Sequence, residues 1–136
     1  MSTEIYVSRF RHGEPAKFPA GELEISFAGL IARPEPNGIL LKLGHDERAF
    51  VTFQGGGSSL ETESFTVSRP VDDVRLYEAI FRVLQNEGSV AYAPGSPLVI
   101  ASAMSKEHLP EGMTEALGAP VSASSAKALR EVLFGA

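Results

Sequence analysis

Apolar and polar positions alternate with period two through much of the first 68 residues, and the pattern becomes helical after Arg69. Glu4–Phe10 (EIYVSRF) alternates and is rich in β-branched and aromatic types, which predicts a first strand. Arg11–Phe18, with Gly13 and Pro15, reads as a loop. The stretch 19–32 fits both periods; Pro19 and Glu22 near its start and Gly29 near its end favour a short helix. Pro34, Pro36, Asn37 and Gly38 follow as a turn-forming loop. Three strands with hairpin-like connections come next, carrying Ile39, Leu41 and Leu43, then Ala49, Val51 and Phe53, then Phe65 and Val67 on their inward sides. Phe50 falls on the outer side.

The most pronounced helical pattern lies between Arg69 and Gly88. Val74, Leu76, Tyr77, Ile80, Phe81, Val83 and Leu84 share about half of the circumference, and Glu87 is the one charge inside that arc. Pro70 suits a first turn, Asp72 and Asp73 lie where the helix dipole is positive, and Gly88 can take the left-handed terminating conformation. An apolar arc this wide predicts packing on a sheet, with Phe81 in the core.

Two short buried strands are expected at Ser89–Ala93 and Leu98–Ala101, around Pro94–Pro97. Helical turns are expected at Lys106–Leu109 and Met113–Leu117, a brief strand at Pro120–Ala123, and a last helix over Ala126–Phe134. The order of elements predicts one α+β domain over residues 1–136: a largely antiparallel sheet (a three-strand meander plus additional short strands) packed against a central amphipathic helix and a C-terminal helix.

Composition narrows the function classes. The 136 residues are 43% hydrophobic and 21% charged, an ordinary globular balance, with no cysteine and so no thiol nucleophile or Cys-ligated metal. The net charge of −5 is spread evenly: residues 1–69 hold seven basic and nine acidic side chains, and residues 70–136 hold five and eight. Without a basic stripe, nucleic-acid and anionic-membrane binding are not expected. Apolar runs are too short for a bilayer span, and no secretory pattern opens the chain, so a soluble cytoplasmic protein is the expectation.

No motif specifies a catalytic, cofactor or metal site. His12, His45 and His108 have no ligand-type partner at helical spacing, and HExxH is absent. His45, Asp46 and Glu47 form the one local acid–base cluster, on an expected hairpin turn, and are the candidate surface site. Gly55–Gly57 lacks the residues of a phosphate loop, and Ser124 to Lys127 matches SxxK without companion motifs, so Ser125 reads better as a helix cap.

The leading expectation is therefore a small non-catalytic protein-interaction domain, acting on another protein through an acidic surface or an exposed sheet edge. An immunity or antidote protein is one concrete form. The alternative is a small-molecule-binding domain or minor enzyme, its pocket lined by Pro34–Gly38, Gly55–Ser59 and Pro94–Pro97. Homo-oligomer formation by edge pairing or helix packing stays open.

Overall fold

The computed structural model describes residues 4–19, 21–44, 47–54, 62–68 and 73–135. Its strands are β1 (Glu4–Arg11), β2 (Glu14–Pro15), β3 (Ile31–Glu35), β4 (Gly38–Lys42), β5 (Arg48–Phe53), β6 (Ser64–Ser68), β7 (Ser89–Tyr92), β8 (Val99–Ile100) and β9 (Val121–Ser122). The helices are α1 (Glu22–Ser26), α2 (Val74–Leu84), α3 (Glu111–Leu117) and α4 (Ala126–Phe134), with a 3-10 segment at Ala103–His108. The fold is α+β, and α2 and α4 pack on the sheet.

The strands run in the order β3-β4-β5-β6-β1-β7-β8-β9, with β2 paired to the end of β1. All pairings are antiparallel except β8 with β9. The expected meander of β4, β5 and β6 is present, and β3 extends it by one strand. Across β4, β5, β6 and β1, the inward residues Ile39, Val51, Val67 and Ile5 lie in register. They form one core with Leu76, Ile80, Val83 and Leu84 of α2 and with Leu129 and Leu133 of α4.

Several boundaries depart from the sequence pattern. Position 31 to position 35 is an edge strand, where a loop was expected around Pro34. An edge strand tolerates proline because one side of its backbone has no ladder partner, and a register shift between Ile31 and Arg33 further interrupts this edge. The expected loop at Arg11–Phe18 contains a tight hairpin instead: His12 (φ 50°) and Gly13 (φ 84°) make the turn, and Arg11 faces Glu14. Helix α2 begins at Val74, after an Asp73 cap that accepts from the Arg75 N–H at 2.9 Å. Pro70 and Asp72 lie outside the described residues, and Val74 is 64% exposed. Phe81 is half-buried beside the core, whose centre on this helix is Ile80. Ser125 caps α4 as expected, accepting from the Ala128 N–H at 3.1 Å.

The opposite face of the sheet carries apolar cover at the β7–β8 end. Val90, Leu98, Ile100 and Leu109 form a second, smaller apolar cluster there, with Phe10, Tyr92 and Met113 at its margin. No helix among the described residues is long and apolar enough to cross a membrane.

Candidate functional site

Two regions present side chains that the core does not absorb. The first surrounds the β1–β2 turn. Strand β1 alternates Ile5, Val7 and Arg9 on its inward side, so the pleat carries a guanidinium to the edge of the core. Arg9 is fully engaged there. Its Nη1 and Nη2 donate to the two carboxylate oxygens of Glu22 at 2.8 and 2.7 Å, and Nε and Nη2 donate to Ser89 Oγ at 3.0 and 2.7 Å. The guanidinium carbon also lies 4.6 Å from the centre of the Phe18 ring. A buried cation paired in this two-pronged way is a fastener: it joins β1, α1 and the start of β7.

Beyond Arg9, His108 closes the turn. Its Nδ1 accepts the His12 backbone N–H at 3.0 Å, and its carbonyl accepts the Gly13 N–H at 2.9 Å. An Nδ1 that accepts leaves the neutral ring its proton on Nε2, which faces Glu87 Oε1 at 2.5 Å. Glu87, the charge inside the apolar arc, thus meets a histidine 21 positions further along the chain. The two histidine rings are 4.8 Å apart, tilted by 58°. With both ring nitrogens bonded, His108 acts as a clamp. His12 is exposed, and its ring has no hydrogen bond among the described residues.

These groups border a cleft of about 390 Å³, whose wall also includes Arg11, Lys17 and the Phe10 ring. Among the described residues, no group of three His, Asp or Glu side chains could hold a metal ion.

The second region lies on the sheet face opposite α2, beside the smaller apolar cluster. Thr52, Thr66, Tyr6 and Tyr92 stand side by side across β5, β6, β1 and β7. Tyr6 and Tyr92 stack with ring centres 5.2 Å apart, and Gln54 Nε2 donates to Thr66 Oγ1 at 3.0 Å. Phe50, next on β5, is 38% exposed. Shallow depressions of about 310 Å³, beside Tyr6 and Gln54, and about 400 Å³, beside Phe50 and Asn37, lie along this row. Charges on the face are mixed: by register Glu4 and Glu35 share it with Arg33, Lys42 and Arg48.

Of the candidates read from sequence, His45 and Asp46 lie outside the described residues. Glu47 is exposed after the β4–β5 turn, its N–H bonded to the Gly44 carbonyl at 3.2 Å. Of the three loops named for a pocket, the two that are described are not brought together. Gly55–Ser59 is outside the described residues, and the turns at Pro36 and Pro94 adjoin β4 and β7, four strand spacings or roughly 19 Å apart. The Pro94 turn satisfies itself, with Ser96 N–H donating to the Ala93 carbonyl at 2.9 Å and Ser96 Oγ accepting from the Ala93 N–H at 2.8 Å. Sequence reading passed over the Arg9 and His108 networks, although the inward parity of Arg9 and the misplaced charge of Glu87 both marked them.

The chain matches no protein-family model, no curated protein and no solved structure. Its functional reading rests on its own geometry.

Proposed function

We propose that the protein is a small non-catalytic interaction domain that binds another protein on the helix-free face of its sheet. One observation carries the reading: the in-register row Thr52–Thr66–Tyr6–Tyr92, in which Thr52 is exposed and Tyr6 and Tyr92 are half-buried, with exposed Phe50 beside it. Tyrosine offers a large, amphipathic contact with few rotatable bonds, and hydroxyl side chains adapt their hydrogen bonds to a partner. A sheet holds these groups rigidly, which lowers the ordering entropy that binding must overcome.

The mixed charge of the face sets no requirement for a basic partner, so an antidote role does not depend on a basic effector. The full chain, immobilised as bait, should retain one stoichiometric partner from native lysate. The exposed-position variants Phe50→Lys and Thr52→Lys should lose that partner while unfolding at the wild-type temperature. Equal retention by both variants would place the binding surface elsewhere and defeat the reading.

A further inference from the structure

The depression of about 310 Å³ beside Tyr6, on the sheet face opposite α2, is lined by one charged residue, Glu4. Arg33, Lys42 and Arg48, the cations that share this face by register, stand on β3, β4 and β5 and do not reach its wall. Glu4 is half-buried, and its carboxylate has no hydrogen bond or ion pair among the described residues. Strand alternation puts Glu4 and Tyr6 on the same side of β1, their Cα atoms about 7 Å apart. Tyr92 lies opposite Tyr6 and stacks on it with ring centres 5.2 Å apart, which holds the Tyr6 ring in place. Beyond Tyr6, Ser8 and Ser64 face each other across β1 and β6 and add their hydroxyls to the wall.

From this arrangement we infer that the depression receives one arginine side chain of the bound partner, a specification that rests on this sheet face being the binding surface. A guanidinium is flat: it lies against a tyrosine ring by cation–π attraction while its fork of N–H groups donates to a carboxylate. Glu4 and Tyr6 supply both groups two positions apart on one strand, and serine hydroxyls accept the N–H groups that remain. An anionic side chain is repelled by Glu4. An apolar one takes water from the carboxylate and returns no hydrogen bond, which is costly. A space of about 310 Å³ is at the small end of ligand pockets, suited to a single side chain. The requirement is for one cation at one place, so it agrees with the mixed charge of the face as a whole.

The probe is N-acetyl-arginine amide, titrated into the full chain at fixed ionic strength while backbone amide NMR signals are followed. Saturable shifts centred on Glu4, Tyr6, Ser8, Ser64 and Tyr92 are expected, with a dissociation constant of about 1–10 mM. Glu4→Gln should weaken binding about five-fold, Tyr6→Leu should weaken it too, and Glu131→Gln on α4 should leave it unchanged. N-acetyl-norleucine amide, of similar length and uncharged, should produce no saturable shifts. Thermal unfolding at the wild-type temperature certifies the fold of each variant. Shifts that grow linearly, equal binding of the norleucine probe, or an affinity indifferent to Glu4→Gln would overturn the inference. The two readings fail separately: a partner lost by Phe50→Lys but retained by Glu4→Arg keeps the sheet face and refutes the arginine pocket, whereas retention by Phe50→Lys and Thr52→Lys defeats both.

Discussion

Gly88 passes so close to Phe10 that a Cβ built on it would lie 2.2 Å from the Phe10 carbonyl oxygen. Hydrogen bonds hold the approach: the Phe10 N–H donates to the Gly88 carbonyl at 2.9 Å, and the Gly88 N–H donates to Ser105 Oγ at 2.9 Å. With φ at +93°, position 88 is closed to side chains on two independent counts. Gly88→Ala should destabilise the protein by about 2–4 kcal/mol, read from urea unfolding. Gly95→Ala supplies the contrast: it has positive φ but open space around it, and should cost only about 1–2 kcal/mol.

Removing the His108 ring should loosen the hairpin that it clamps. His108→Ala leaves the His12 N–H without its acceptor and vacates a buried position, for a loss of about 1–3 kcal/mol. Glu87→Gln keeps a carbonyl oxygen for Nε2–H and should cost less than about 1 kcal/mol. Hydrogen exchange at the His12 amide separates the two: faster in the first variant, little changed in the second.

Arg9 and Glu22 should behave as one unit. Arg9→Met removes the cation and leaves the Glu22 carboxylate, 15% exposed, without its bidentate partner, a loss of about 3–5 kcal/mol. The Arg9→Met/Glu22→Gln double variant should recover part of that loss. A coupling below about 0.5 kcal/mol in the double-mutant cycle would mean that the pair is not energetically linked.

Asp73 ties acid stability to the start of α2. Hydrogen bonds from the Arg75 side chain, and then from the Gly44 backbone N–H at 3.0 Å, hold its carboxyl well below the usual carboxylate range. A depressed folded-state pKa stabilises the protein above the unfolded value, about 4, and that contribution is lost as pH falls below it. Asp73→Asn should therefore flatten the decline in stability between about pH 5 and pH 2. An unchanged acid limb would show that Asp73 is not its source.

On α2, Ile80→Ala should cost about 2–5 kcal/mol, because Ile80 is fully buried. Phe81→Ala should cost less than Ile80→Ala despite removing a larger side chain, since Phe81 is only partly enclosed. Thermal unfolding of the two variants gives the order directly.

Periodicity made the larger elements readable. Alternation at Ile5/Val7, Ile39/Leu41 and Val51/Phe53 marks inward strand faces, and burial enforces it, because a slip of one residue would invert every side chain. Strand β3 was hidden because Pro34 and Pro36 carry the local signature of a turn, while the edge position that tolerates proline is a tertiary fact. Strand β2, of two residues, is too short for a period to register, and helix α1, of five, was marked by Pro19, Glu22 and Gly29 instead. The cleft was less legible still. The His12–His108 contact spans 96 positions, and neither residue has a local partner to announce it. Arg9 could have been singled out, since charge at an inward strand position calls for a buried counter-charge; only the fold identifies Glu22 as that group.

The placement of β1 has a consequence for how the chain is made. Of the described strands β1 leaves the ribosome first, and it ends between β6 and β7, with its pairing partners at residues 64–68 and 89–92. Until residues 64–68 have emerged β1 pairs only with β2 at its end, and its second long ladder stays open until residues 89–92 follow. Such distant pairings favour slow folding and a prolonged period of vulnerability to association between nascent chains. A fragment ending before β7 would keep the meander, with β1 paired to it through β6, and leave the other long ladder of β1 open. Synthesis thus reaches its decisive moment late, when the segment after α2 arrives to close over β1.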